Sequence, residues 1–341
     1  MGSVLSGQVA GSSRNIEEEA VNYSFSLKLA GTVMVGTALL SAPALAIDSL
    51  SIMAPAGPGG GWDQTARTIQ STLQSEGLVS NIQVSNVAGA GGTIGLQQFI
   101  NQSSGDPTAT IVGGYVMVGA VIANASPVGL DDITPLARLT GEYVVVVVPA
   151  DSEIENAQDL AAMLAEDAGG VTWAGGSAGG VDHIAVGRFA QEAGVDPATI
   201  NYIPYSGGGE ALAAILGGQV TAGVSGYSEF SAQIEAGELR VIGITAPEAQ
   251  DYTDAPTFVE QGYNLDIQNW RMIAGAPDIT DEEKAELISV IQEMAGSDAW
   301  NDELRNRGWV NTYMDGQAFE DYLANEIEST TAILQELGIS Q

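Results

Sequence analysis

From Leu50 onward the sequence alternates short apolar runs with stretches of helical spacing, and glycine-rich turns separate the two kinds. The run Leu50–Ala54 leads through Gly57-Pro-Gly-Gly-Gly-Trp-Asp63 into a segment with Ala66, Ile69 and Leu73 on one helical face. Ile82–Val87 leads through Ala88-Gly-Ala-Gly-Gly-Thr93 into a second, and Thr108–Gly113 precedes a third. After Tyr143–Pro149, which carries valine at every position from 144 to 148, the alternation restarts. Val171–Trp173 meets the loop Gly175–Gly180, and Ile200–Pro204 meets Tyr205-Ser-Gly-Gly-Gly209. Parallel strands need a crossover of about a dozen residues or more, usually a helix. The alternation therefore predicts a parallel α/β sheet, and the valine run predicts a strand buried on both faces.

The C-terminal part predicts a strand near Ile267–Ala274 and helices over Asp281–Met294, Asp298–Arg307 and Phe319–Leu337. Glycine-rich loops after strands occur in both halves, so two α/β lobes with a ligand cleft between them are expected. Ligands of open α/β sheets sit at the carboxyl ends of strands, where these loops lie.

Composition removes several function classes. The chain has 341 residues, no cysteine and a single histidine, His183. Disulfides, thiolate metal sites and sites needing two imidazoles are excluded. With 43 acidic against 10 basic residues and a net charge of -33, the chain is no partner for nucleic acid, which is held by clustered Lys and Arg. The acids are dispersed, as on a solvated surface, and ambient salt would ease their mutual repulsion.

Residues 26–46 carry Lys28, an apolar run from Leu29 to Leu40 and the ending Ala44-Leu45-Ala46. That order reads as a secretory signal peptide with cleavage after Ala46. Residues 1–25 fit poorly, because Glu17-Glu18-Glu19 is the wrong charge for the leading segment, so an over-extended start is expected. The apolar run is too short to span a membrane comfortably.

Each glycine loop can be weighed by its chemistry. Gly57–Trp62 lacks the Gly-Lys-Ser/Thr ending of a phosphate-binding Walker loop. It also places Trp62 where a dinucleotide fingerprint needs its third glycine. A cradle of backbone amides at a helix start, suited to a small carboxylate, fits better. Gly175-Gly-Ser-Ala-Gly179 matches the nucleophile elbow of serine hydrolases, which leaves Ser177 open as a nucleophile. His183, however, opens the following helix and points that helix away from the serine. Asp63 and Asp182 suit helix starts as caps, or as paired carboxylates could form a metal site or an acid/base pair. Trp62, Tyr205 and Tyr227 suit either core packing or a pocket wall, and Arg67, Arg138, Arg188 or Arg271 could pair with a carboxylate.

Together Ala54–Arg67, Asn86–Thr93, Gly175–His183, Pro204–Ala211 and Asn269-Trp-Arg271 resemble, in order, the receptors of tripartite tricarboxylate transporters (the Bug family). The resemblance spans Leu50–Leu337 and implies a two-lobed, type II-like periplasmic-binding-protein fold without catalysis, cofactor or metal. Expected boundaries are 1–46 for the extension and signal peptide, 47–147 with 248–341 for lobe one, and 148–247 for lobe two. The implied ligand contacts in lobe one are Gly59, Gly60, Gly61, Trp62, Asp63, Gly91, Gly92 and Thr93. Those in lobe two are Ser177, Ala178, Gly179, Gly180, Asp182, His183, Tyr205, Ser206, Gly207 and Gly208. The implied role is a periplasmic monomer that captures a di- or tricarboxylate for a permease of one large and one small membrane subunit. Trp62 follows the tricarboxylate-type subgroup and so favours a citrate-like ligand. A hydrolase using Ser177 and a ligand-dependent signalling receptor are the alternatives.

Overall fold

The computed structural model describes residues 47–339; the signal-peptide reading and its cleavage point at Ala46 lie outside the described residues. The first half opens with β1 (Ser49–Ala54), α1 (Gly61–Ser75), β2 (Asn81–Asn86), α2 (Thr93–Ser103), β3 (Ala109–Gly114) and α3 (Tyr115–Ala123). The long β4 (Thr134–Pro149) then carries the chain into α4 (Ala157–Asp167), β5 (Thr172–Gly175), α5 (Val181–Glu192), β6 (Asn201–Pro204), α6 (Gly208–Leu216), β7 (Ala222–Gly226), α7 (Tyr227–Glu235) and β8 (Leu239–Ile244). It returns through β9 (Gln268–Gly275) to α8 (Asp281–Gly296), α9 (Asp298–Arg307), β10 (Val310–Asp315) and α10 (Gly316–Glu336).

Strands β1, β2 and β3 are parallel to one another, as are β5, β6 and β7, and every one of these parallel pairs is linked through a helix. The sheet as a whole is mixed, which corrects the all-parallel expectation. β4 and β9 run antiparallel to each other, β9 is antiparallel to β3, and β4 is antiparallel to β7, β8 and β10. The reason is topological: a chain that leaves one half and comes back crosses the junction in both directions. β10 was not foreseen. Its sequence, Val-Asn-Thr-Tyr-Met-Asp, is only partly buried and carries little apolar alternation.

β4 belongs to both halves. Up to Tyr143 it pairs with β9, and from Val144 it pairs with β7. Its valines are buried on both sides, as the sequence predicts: Val146 and Val148 pack with Trp173 and Phe189, whereas Val145 and Val147 pack with Ile215 and Phe230. At the junction Thr245 ties three segments. Its amide donates to Val144 O at 2.9 Å, its hydroxyl accepts from Val144 N at 3.1 Å, and the same hydroxyl donates to Ile267 O at 2.7 Å.

α5 starts at Val181 and α7 at Tyr227. Asp182, His183 and Ser228 therefore lie in first helical turns, where side chains can reach back to the preceding loop. Among the described residues no helix is long and apolar enough to cross a membrane.

Candidate binding cleft

The loop after β2 and helix α3 in the first half meet the loop after β5 in the second. A methyl group on Gly91 would come within 3.4 Å of Ser177 Cβ, and one on Gly119 of α3 would strike the carbonyl of Gly179. Gly92, at φ +91°, turns the chain tightly over Trp62, whose ring lies 2.6 Å from where a Gly92 side chain would begin. Only glycine combines that φ with that close approach. Trp62 itself is buried, packed beneath this turn with Met117, so it supports the loop rather than walling the cleft.

Each half tethers its loop with side chains from the helix that follows. Asp63, in the first turn of α1, accepts from the Gly59 amide at 2.8 Å, from Asn86 Nδ2 at 2.9 Å and from Arg67 Nε at 3.0 Å. Burial alone would raise its pKa, but these donors outweigh burial and hold the carboxyl below its ordinary value. In α5, Asp182 accepts from the Gly176 amide at 2.7 Å, and His183 Nδ1 accepts from the Gly179 amide at 3.2 Å. His183 and Asp63 occupy the same third helical position and bind the amide four residues back, so the two halves solve one problem in the same way. Burial pushes the Asp182 carboxyl up to about 7 and the His183 imidazole down to about 4. Tyr202 completes the support, donating its hydroxyl to Gly176 O at 2.8 Å.

This tethering corrects part of the amide-cradle expectation. The amides of Gly59, Gly176, Gly179 and Ser206 are already taken by Asp63, Asp182, His183 and Glu210, and those of Gly60, Gly92 and Gly180 close turns within their own loops. The first-turn amides of α1 (Gly61, Trp62, Asp63) and of α5 (Val181, Asp182, His183) have no intrahelical acceptor, as at every helix start. Each of these helix starts follows or adjoins a loop that takes part in the contact between the halves: Trp62 packs under Gly92, and α5 follows the loop that carries Ser177. Thr93 Oγ1 is spent on Ala90 O at 2.9 Å, while Ser177 sits at the contact between the halves. Tyr205 is half-buried in the second-half core, and Tyr227 packs on Tyr252 at 5.0 Å between centroids. No group of three or more metal-ligating side chains is gathered among the described residues.

Sequence reasoning named Arg271 as a partner for a carboxylate but missed Glu142, the carboxylate it meets. Arg271 on β9 and Glu142 on β4 form an ion pair in which the residues are 2% and 1% exposed. Charged residues are almost never fully buried unless paired, and both stand in otherwise apolar strands, which was the available signal.

Glycine-rich loops that meet across a mixed α/β sheet belong to a periplasmic-binding-protein fold. The similarity to solved structures agrees: MatC from Rhodopseudomonas palustris with bound malate aligns at a TM-score of 0.73 and 21% identity, over 84% of this chain and 98% of that one. A second R. palustris protein, solved with adipate, aligns at 0.76 and 20% identity, over 86% and 98%. In sequence, Protein BugT of Bordetella pertussis is 26% identical over 315 residues, covering 90% of this chain and 95% of that protein. Residues 65–339 match the tripartite tricarboxylate transporter family receptor model, and the chain belongs to that family. It is a solute-binding protein of a periplasmic family and not an enzyme, which overturns the hydrolase alternative. His183, held by Gly179 and stacked on Tyr202, is correspondingly committed to structure.

Proposed function

We propose that the protein captures a small di- or tricarboxylate between its halves and delivers it to a membrane permease with one large and one small subunit. In this reading residues 47–147 and 248–341 form one lobe, and residues 148–247 form the other. The lobes rotate about β4 and the Thr245 junction. Export precedes capture, with cleavage after Ala46, and the receptor acts as a monomer. The observation that carries the reading is the approach of the Gly91 turn to Ser177 across the junction, next to two helix starts, of α1 and α5, whose first amides have no intrahelical acceptor. Local dipoles attract an anion even where net charge is strongly negative. Ligands in similar folds, malate and adipate, support the chemistry. The citrate preference tied to Trp62 loses its carrier, because that ring supports the loop from beneath; citrate stays one acid among those to test.

The test is a thermal-shift screen over organic acids, amino acids and sugars. A carboxylate at about 100 times its dissociation constant should stabilise the protein by about 2.7 kcal/mol. Shifts with sugars or amino acids, and none with dicarboxylates or tricarboxylates, would defeat the reading.

A further inference from the structure

A second space opens between the halves, apart from the glycine loops. A cavity of about 300 Å³ lies where α3, β9 and α10 of the first half face α5 of the second, with the segment between β8 and β9 along one side. Small-molecule sites run from about 300 to 1,000 Å³. Arg188 lines the cavity from seven residues beyond Val181, about 10 Å along α5 from the helix start that adjoins the Ser177 loop. The cavity and the glycine-loop contact are therefore separate places.

The walls carry opposite charges that do not meet. Glu326 of α10 is fixed by Trp270, whose Nε1 donates to it at 2.8 Å. Arg188 enters from the other half and forms no ion pair among the described residues; its Nη1 reaches Gln191 Oε1 at 3.5 Å, longer than a good hydrogen bond. Burial pushes the hydroxyl of Tyr115, also in the wall, up to about 12; Glu326 adds to the rise and Arg188 opposes it, so both charges act on one phenol from opposite halves. Asp266, just before β9, puts a second carboxylate in the wall, and burial raises its pKa. Arg138, the other nearby cation, is taken by Gln268 Oε1 at 2.5 Å and by the ring of Tyr322 at 4.5 Å. A guanidinium and a carboxylate that share a cavity without touching give up solvent and gain no partner in return. A guest bearing both charges would complete both groups. A dicarboxylate would not, since it would meet one free guanidinium and two carboxylates.

We infer that this cavity is a second binding site, for a small zwitterion of the amino-acid class, with the guest's carboxylate on Arg188 and its ammonium between Glu326 and Asp266. The guest bridges the two halves at a place that the ligand of the glycine-loop cleft does not touch, and its binding does not depend on what that cleft holds.

Calorimetry with glycine, β-alanine and γ-aminobutyrate, which hold their charges progressively further apart, finds the length that fits. The wild-type protein should bind the best of them at least tenfold more tightly than the acid lacking its ammonium or the amine lacking its carboxylate. Arg188→Gln should cut the preference over the amine at least fivefold and leave the preference over the acid within twofold. Glu326→Gln, which keeps an acceptor for Trp270, should do the reverse. Residues that only shape the cavity would weaken all three compounds alike, and that pattern would overturn the inference. So would both preferences surviving in both variants, which would put the amino acid in the glycine-loop cleft, and so would the absence of any amino-acid binding to the wild type. A non-additive loss of stability in the double variant, again without amino-acid binding, would show Arg188 and Glu326 pairing directly as the halves move and would overturn it too. If the expected pattern appears while no dicarboxylate or tricarboxylate binds, the carboxylate-capture reading fails and the second site stands.

Discussion

The imidazole of His183 lies flat on the phenol ring of Tyr202, with centroids 4.1 Å apart and planes 4° apart. The stack covers one face of the partly buried imidazole, while its Nδ1 accepts from the Gly179 amide. Burial disfavours the charged imidazole, and its pKa falls to about 4. Because the folded value lies below the ordinary 6.5, the neutral ring supports the fold fully above pH 6.5, and that support is lost as pH falls toward 4. His183→Gln should flatten this limb of the stability curve, read as the difference between variant and wild-type denaturant midpoints. Parallel curves from pH 4 to 7 would contradict the assignment.

Asp182, one residue earlier, works in the opposite direction. Burial raises its folded pKa from 3.8 to about 7. The folded state holds the extra proton between those values, so stability declines as pH rises from about 4 to about 7, with a limiting slope of about 1.4 kcal/mol per pH unit. In the wild type this decline runs against the His183 limb over the same window, so Asp182→Asn, which keeps an acceptor for Gly176, should unmask a stability that rises with pH. Unfolding measured across that window in both proteins checks it, and a variant curve parallel to that of the wild type would refute it.

Gly119 of α3 faces the carbonyl of Gly179 across the junction. Gly119→Val favours the helix locally, yet leaves no room for the halves to meet. Ligand affinity should fall at least tenfold with little loss of stability in the free protein. Calorimetry decides the first point and thermal melting the second; unaltered affinity would mean that this contact plays no part in closure.

Thr245→Val keeps the volume of the side chain but removes both hydroxyl bonds at the junction. The apolar replacement leaves Val144 N and Ile267 O each short of a partner, a cost of about 1–3 kcal/mol. Urea denaturation should report that loss. A change below about 0.5 kcal/mol would show that the hydroxyl contributes nothing net.

A net charge of -33 should make stability depend on salt. Screening shortens from about 10 Å at 0.1 M to about 3 Å at 1 M, which relieves repulsion among the dispersed acids. Melting temperature should rise by several degrees over that range in sodium chloride. A flat or falling trend would show that repulsion is not a major destabilising influence.

The repeating parts of the fold were legible because each strand, glycine turn and helix is a local pattern. The Val144–Val148 run and the helices over residues 281–307 follow directly from apolar spacing. Antiparallel pairing of β4 with β9 was not legible, since it depends on how the chain crosses between halves and leaves no trace in either segment. The glycine loops of the cleft could be read from sequence. The loss of several of their amides to Asp63, Asp182 and His183 could not, because a first-turn side chain can turn outward or back. Arg271 and Glu142 stand 129 positions apart, and nothing in the spacing ties one to the other.

β4 also bears on how the molecule comes apart. One unbroken strand of 16 residues supplies backbone partners to β9 and β10 on one side of the junction and to β7 and β8 on the other. Neither half keeps its sheet if the other melts, so the described body should unravel in a single cooperative transition, and its two halves should not survive as separately expressed fragments.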